Sequence, residues 1–137
     1  KIKKEEGKVY CLISDGELNI GSTWESLAIA KHHKLDNLVL IVDRNSLQAM
    51  GETKDILDME PVDKKLEAFG WDVHEIDGHN HSEIESALAR KTFGIPLAII
   101  ARTTKGKGVR RFENDNLWHY SHVSQEVLEE ALKELNT

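Results

Sequence analysis

Four short apolar segments alternate with helical patterns along this chain. They lie at residues 9–13, 38–42, 72–76 and 97–100, and the first, second and fourth are almost free of polar side chains. Apolar runs of this kind are typical of strands in a parallel sheet that is covered on both faces. We therefore predict four buried β-strands at these positions, of which the third is the least apolar.

Two of the segments between the strands begin with the pattern Ser-x-x-Glu. This pattern starts at Ser22 and again at Ser82. A serine followed three residues later by glutamate is typical of a capping box at the start of a helix. We therefore predict helices over residues 22–33 and 82–91, each capped by its serine.

Two further helices follow from other signals. A helix is predicted over residues 61–69, with Pro61 near its start and Gly70 just beyond its end, which are the usual positions of these residues. The last helix is predicted over residues 124–135. Its apolar residues fall on one stripe, formed by Leu128, Ala131, Leu132 and Leu135.

The alternation of strands and helices indicates the architecture. It predicts βαβ units with right-handed crossovers. The expected fold class is α/β, an open, doubly wound parallel sheet in a single domain over residues 1–137. In such sheets ligands bind beyond the carboxyl ends of the strands, which selects the loops 14–21, 43–51 and 102–108.

Composition and charge narrow the function classes. The net charge of −6 argues against a nucleic-acid-binding protein, which usually carries a basic face. No apolar stretch is long enough to cross a membrane. Cys11 is the single cysteine, so no internal disulfide can form, and its apolar neighbours predict a small buried side chain. We expect a cytoplasmic protein, because a reducing compartment suits this use of cysteine.

Two of the selected loops carry oxygen ligands. The first contains Asp15 and Gly16, and the second contains Asn45. Roughly thirty residues separate Asp15 from Asn45, the length of one βαβ unit, so both side chains are expected at the same edge of the sheet. Either residue alone also suits an ordinary turn. Together they predict a magnesium site, because magnesium prefers oxygen ligands and shares them with phosphate groups and water.

Longer blocks of the sequence resemble the transketolase family of thiamine diphosphate enzymes. Members carry Gly-Asp-Gly and, one crossover later, Asn; this chain has Ser14-Asp15-Gly16 and then Asn45. In family order there follow the blocks SDGELNIGSTWESLAIAKHHKLDNLVLIVDRNSLQAMG, AFGWDVHEIDGHN, ARTTKGKGV and LWH. The resemblance covers residues 9–119 and implies a partial thiamine diphosphate-binding fold.

The resemblance assigns roles to individual residues. Asp15 and Asn45 match the side-chain ligands of a magnesium ion, and Leu47 matches the residue that gives the ion a backbone carbonyl. Gly16 matches the glycine whose backbone approaches the diphosphate. His119 matches a histidine near the diphosphate and substrate, and it is the candidate catalytic residue. The implied cofactors are thiamine diphosphate and Mg²⁺.

A few positions depart from the family pattern. Ser14 stands where members usually have glycine, and Tyr120 stands where glycine usually follows the histidine. Ile20 replaces a glutamate of the family's interface network, which puts the usual dimer pairing or the communication between sites in question. Glu25 matches an interface glutamate, although it also suits the capping box with Ser22.

Other polar and aromatic residues allow more than one interpretation. Lys105 and Lys107 lie in a glycine-rich loop that suits either phosphate attraction or simple solvation. We expect packing or surface roles for the remaining histidines and the tryptophans, and no zinc site. These residues are His32, His33, His74, His79, His81, His122, Trp24, Trp71 and Trp118.

The reaction that the resemblance implies moves a two-carbon ketol unit from a ketose, often a phosphate ester, to an aldose. Family members also have a segment before this region and a pyrimidine-binding domain with an activating glutamate, and we recognise neither in this sequence. We therefore expect the chain to be inactive alone. It would act with a partner chain that carries the pyrimidine-binding domain, or as a homo-oligomer, whether it is a fragment, one part of a split enzyme or a truncated relative.

Two other functions stay open. The chain could be a non-catalytic diphosphate-binding or regulatory module. It could also belong to another thiamine diphosphate enzyme, such as a deoxyxylulose-phosphate synthase or a dehydrogenase component. The block ARTTKGKGV followed by Trp-His favours transketolase, but these residues do not specify the ketose or the aldose.

Overall fold

The computed structural model describes residues 6–136 of the chain. The strands of this part are β1 (Val9–Ser14), β2 (Leu38–Arg44), β3 (Leu47–Gln48), β4 (Gly51–Glu52), β5 (Asp72–Asp77) and β6 (Leu97–Arg102). Its α-helices are α1 (Gly21–His32), α2 (Thr53–Leu57), α3 (Val62–Ala68), α4 (His81–Ala89) and α5 (Gln125–Leu135). Short 3-10 helices follow β1, at Asp15–Asn19, and precede α5, at Asn116–His119.

Four of the strands form one parallel sheet in the order β1-β2-β6-β5. Its register aligns Ser14 with Asp43 and Arg44 with Arg102, so the carboxyl ends of the strands meet at one edge. Strands β3 and β4 form a separate antiparallel hairpin just beyond β2. The predicted parallel α/β fold is confirmed, and each strand extends one or two residues past its apolar run at the carboxyl end.

The larger core lies on the face of the sheet that α1 and α3 cover. Because side chains alternate between the faces of a strand, Leu40 and Val42 of β2 point to this face and are buried with Ile100 of β6. Trp71 is also buried here, and its Nε1 donates to the carbonyl of Leu27 at 3.1 Å. Burial of each large apolar side chain contributes about 1.5–3 kcal/mol, so this face stabilises the sheet most.

The opposite face is covered only in part. Helix α4 places Ala87 against Val39, Leu97 and Ile99, which form a smaller core. The neighbouring part of the same face, at the edge strand β1, is open to solvent, and Leu12 is 70% exposed there. The two faces of the sheet are therefore unequally protected.

The predicted burial of β1 is wrong. Val9, Tyr10 and Leu12 are all more than half exposed, and Cys11, predicted to be buried, is exposed as well. The strand lies at the edge of the described sheet and has one neighbouring strand, while α4 packs over β5 and the middle strands. A continuous apolar run indicates a strand but does not reveal whether anything covers it.

The two predicted serine caps are also wrong. Helix α1 begins after Ile20, whose side chain makes no capping hydrogen bond, and Ser22 lies inside the helix. Helix α4 is capped by Asn80 instead of Ser82: its Oδ1 accepts from the backbone N–H groups of Ser82 and Glu83. Its Nδ2 donates to Glu83 Oε1 at 2.9 Å, so the helix is capped two residues earlier than predicted.

The other two helices begin and end close to the predicted positions. Pro61 precedes α3, and Gly70 follows it with a φ of +84°, a conformation that favours glycine. Ser124 caps α5 by accepting from the N–H of Val127. The inward side of α5 consists of Val127 and Ala131, whereas the leucines of the predicted stripe are all more than 40% exposed: Leu128, Leu132 and Leu135. Within residues 6–136 no helix is long and apolar enough to span a bilayer.

The open apolar surface at β1 leads to a prediction about association. Leu12→Lys should weaken self-association of the chain about tenfold, because it places a charge where apolar contact would bury a leucine. Sedimentation velocity over a range of concentrations would measure the change. Gln125→Lys, which adds the same charge on an exposed polar site in α5, is the control. A parent chain that stays monomeric throughout would contradict the prediction.

Candidate functional site

The first side of the candidate site is the turn that follows β1. Ser14 Oγ accepts from the N–H of Glu17 at 3.3 Å and so caps the 3-10 helix that contains Asp15 and Gly16. The serine that replaces the usual glycine therefore has a structural use in this chain. This turn directs Asp15 inward, where it is 5% exposed.

The second side is the segment between β2 and β3. The backbone N–H of Ser46 donates to Asp15 Oδ2 at 2.6 Å, which joins the two strand ends directly. Asn45 Oδ1 accepts from the N–H of Leu47 at 3.0 Å, and Ser46 has a φ of +65°. The expectation that Asp15 and the Asn45 segment lie at the same sheet edge is confirmed. Their roles as metal ligands stay a prediction.

Asp15 has an unusual electrostatic environment. Burial raises the pKa of its carboxyl group, and the hydrogen bond from the Ser46 N–H, together with the nearby N–H of Gly16, partly offsets the increase. The carboxylate of Asp43 raises this pKa further, whereas the guanidinium of Arg44 lowers it. The Oδ1 atom of Asp15 is buried and has no hydrogen-bond partner. Leaving a buried carboxylate oxygen unpaired is costly, so this atom favours a cation or a proton.

The oxygen atoms at this edge fit a magnesium ion whose shell a bound ligand completes. Asp15 Oδ1 needs a partner, and the amide oxygen of Asn45 has a second lone pair beyond the one that Leu47 uses. Among residues 6–136, no group of three or more His, Cys, Asp or Glu side chains could hold a metal ion. An ion here would therefore need backbone, water or phosphate oxygens as well, which is usual for magnesium.

The hairpin strand that begins with Leu47 lies close to Gly16. Leu47 begins β3 and pairs with Glu52 of β4. A Cβ atom at Gly16 would be 3.3 Å from Cγ and Cδ of Gln48, the residue that follows Leu47. The backbone of Gly16 thus lies close to the Gln48 side chain, and any side chain at position 16 would require Gln48 to shift.

The segment that carries His119 is connected to the same hairpin. The 3-10 helix Asn116–His119 is capped by Asp115, and Asn116 Nδ2 donates to the carbonyl of Ala49 at 2.8 Å. The side chain of His119 is exposed, and its Nδ1 lies 3.3 Å from Nζ of Lys105. The structure therefore brings His119 together with Lys105 and connects its segment to the β3–β4 turn, but it shows no direct contact with Asp15.

The loop after β6 forms a third side of the site. The hydroxyl of Thr103 donates to the carboxylate of Asp43, and the N–H of Thr103 donates to the carbonyl of Arg44 at 3.1 Å. The N–H of Thr104 donates to His79 Nε2 at 2.8 Å. The sequence predicts only a surface or packing role for His79. Its position just beyond β5 is the signal that could have found it, since that loop lies at the ligand-binding edge.

The residues of the proposed interface network lie on the surface. Ile20 is 46% exposed, and Glu25 is exposed on α1. The capping contact that offered another role for Glu25 does not form. The Glu25 interface role therefore stays a prediction.

The chain is similar to known proteins of a single family. The family model for the transketolase thiamine diphosphate binding domain matches residues 2–136. The chain is 45% identical over 129 residues to a subunit of the apulose-4-phosphate transketolase of Actinobacillus succinogenes, and 39% identical over 132 residues to human transketolase. It also superposes on the crystal structure of Campylobacter jejuni transketolase with a TM-score of 0.88 and 36% identity.

The matches cover most of this chain but only part of each relative. They cover 93% of this chain for the Actinobacillus protein and 96% for the human and Campylobacter proteins. The fold is that of the transketolase thiamine diphosphate binding domain, and the chain belongs to the transketolase family. It spans 47% of the Actinobacillus protein and 21% of each of the two transketolases.

The raised pKa of Asp15 predicts how pH affects stability. Below the ordinary aspartate pKa of about 3.9 the buried carboxyl is protonated in both states, and its favourable contribution to folding is fully present. That contribution is lost as pH rises through the higher pKa of the folded state. Asp15→Asn, which is neutral throughout, should therefore gain stability relative to the parent chain as pH rises, until the folded carboxyl is fully ionised.

Thermal unfolding of both chains between about pH 4 and pH 8, in the presence of a chelator, would test this. A difference in stability between the two chains that stays constant over this pH range would contradict a raised pKa for Asp15.

Proposed function

We propose that this chain is the diphosphate- and magnesium-binding part of a transketolase-type enzyme. In this proposal Asp15 and Asn45 give side-chain oxygens to the ion, and Leu47 gives its backbone carbonyl. The observation that carries the proposal is the buried, unpartnered Oδ1 of Asp15. A divalent cation would satisfy this oxygen and stabilise the ionised carboxylate.

The backbone of Gly16 would contact the diphosphate. Bound thiamine diphosphate would supply the carbanion chemistry of ketol transfer. The task of this chain is to hold the diphosphate in place and to position the sugar. His119 and Lys105, which lie side by side, are the proposed contacts to the substrate, which we take to be a sugar phosphate.

We further propose that ketol transfer needs more than these 137 residues. The Actinobacillus relative is named as one subunit of its transketolase, which supports a partner chain carrying the pyrimidine-binding domain. A homo-oligomer is the other assembly that would bring two such parts together. The single cysteine is consistent with a cytoplasmic enzyme.

The metal assignment predicts that magnesium and thiamine diphosphate strengthen each other's binding. Asp15→Ala should reduce this mutual effect about ten- to a hundredfold, because it removes a charged ligand beside an anionic diphosphate. Titration calorimetry with and without magnesium would measure it. Asp55→Ala, which removes an exposed carboxylate on α2, is the matched control. If magnesium-dependent affinity is the same in both variants, Asp15 is not a ligand.

The assembly proposal predicts no ketol transfer by the chain alone and turnover once a partner with the pyrimidine-binding domain is added. In that assembly His119→Ala should raise KM about tenfold with a smaller effect on kcat, because it removes a substrate contact. His122→Ala, an exposed histidine nearby, should change neither constant. Turnover by the purified chain alone would overturn the prediction. Diphosphate binding without turnover in any assembly would favour a non-catalytic module.

A further inference from the structure

Two side-chain amides meet beside the candidate metal site. Asn19, at the end of the 3-10 helix after β1, donates from Nδ2 to Gln48 Oε1 at 3.3 Å. The sequence patterns alone point to neither residue. The contact joins the Asp15 turn to β3, and it therefore connects the same two segments as the hydrogen bond from Ser46 to Asp15.

Gln48 lies against Gly16, whose backbone we propose contacts the diphosphate. Its Cγ and Cδ lie 3.3 Å from the position that a Cβ of Gly16 would occupy. Gln48 also directly follows Leu47, the proposed carbonyl ligand. The hydrogen bond from Asn19 holds Oε1 of the carboxamide group, and the stem of the side chain lies beside Gly16, so the remaining polar atom has a defined direction.

That remaining atom has no partner. Gln48 Nε2 is buried without a hydrogen bond, and so are Asn19 Oδ1 and Asp15 Oδ1. In the described residues only two further buried side-chain atoms lack a partner, Asn116 Oδ1 and Trp118 Nε1. Both belong to the 3-10 helix that donates to Ala49, the residue after Gln48.

This clustering is informative because buried polar atoms without partners are rare and costly. Here all those of the described chain lie on three connected segments around one sheet edge. A ligand that brings both a cation and anionic oxygens would satisfy donors and acceptors together. A cation would satisfy Asp15 Oδ1, and an anionic oxygen would satisfy Gln48 Nε2, which is a donor.

We infer that Gln48 is a diphosphate-binding residue, whose Nε2 donates a hydrogen bond to an oxygen of the bound diphosphate. This inference rests on the proposed function. Asn19 is its positioning residue, because it occupies Gln48 Oε1 and so presents the NH₂ group to the ligand. The donor matters at this place because the carboxylates of Asp15 and Asp43 lie nearby, and Arg44 is paired with Glu60.

The two glutamines of the chain, Gln48 and Gln125, allow a matched experiment. Gln48→Met keeps the length of the side chain without a donor, and Gln48→Glu replaces the donor by a carboxylate. Gln125→Met and Gln125→Glu make the same changes on an exposed site of α5. The chain, with its partner where binding requires one, is titrated with manganese alone, with magnesium and inorganic pyrophosphate, and with magnesium and thiamine diphosphate.

We expect Gln48→Met to weaken both diphosphate ligands about tenfold and Gln48→Glu to weaken them about a hundredfold, as for a hydrogen bond to a charged group. Manganese alone should bind Gln48→Met within about twofold of the parent chain, which also shows that the site is folded. The Gln125 variants should match the parent chain. Asn19→Ala should weaken the diphosphate ligands in the parent background and add little in the Gln48→Met background.

The outcomes separate this inference from the proposed function. If Asp15→Ala loses magnesium-dependent diphosphate binding while both Gln48 variants retain it, the inference is wrong and the proposed function stands. Unchanged affinity in Gln48→Glu alone would show that the amide presents its oxygen to the site, which also overturns the inference. A loss with thiamine diphosphate but not with pyrophosphate would assign the contact to another part of the ligand and so overturn it too. If the parent binds neither ligand with magnesium, the proposed function itself fails.

Discussion

The hydrogen bond from the Ser46 N–H to the buried carboxylate of Asp15 is the interaction on which the site depends. It joins the ends of two neighbouring parallel strands, and it fixes one oxygen of the carboxylate while the other is left without a partner. Burial makes the ionised form of Asp15 unfavourable in the isolated chain. The burial of apolar side chains on the α1 and α3 side of the sheet offsets this unfavourable free energy. The proposed magnesium ion would find this free carboxylate oxygen already in position.

Much of the fold and part of the site could be predicted from the sequence. Apolar runs located every strand of the parallel sheet, and the spacing of Asp15 and Asn45 placed their segments at one edge. The exposure of Cys11 could not be predicted, because an apolar run is the same whether or not another element covers it. The cap of α4 was ambiguous, since Asn80 and Ser82 each precede a glutamate by three residues, and only the backbone path selects Asn80.

The remaining site contacts depend on distances between segments that are far apart in the chain. The amide contact of Asn19 with Gln48, the acceptor role of His79, and the bond from Asn116 to Ala49 follow no local pattern. Each arises where a loop crosses another loop at the carboxyl edge of the sheet. Sequence spacing selects the edge, but the pairing of side chains across it depends on the turn conformations of both loops.

The order of the strands has a consequence for synthesis of the chain on the ribosome. Strand β6 lies between β2 and β5 although it is the last of the four to be made. The β1–β2 pair, and with it the Asp15–Ser46 contact, can form early, because both strands belong to one local crossover. Strand β5 pairs only with β6 in the described sheet, so it must wait, unpaired, for a later segment to insert beside it. The nascent chain can thus form the turn that contains Asp15 before the last strand of the sheet that supports it is in place.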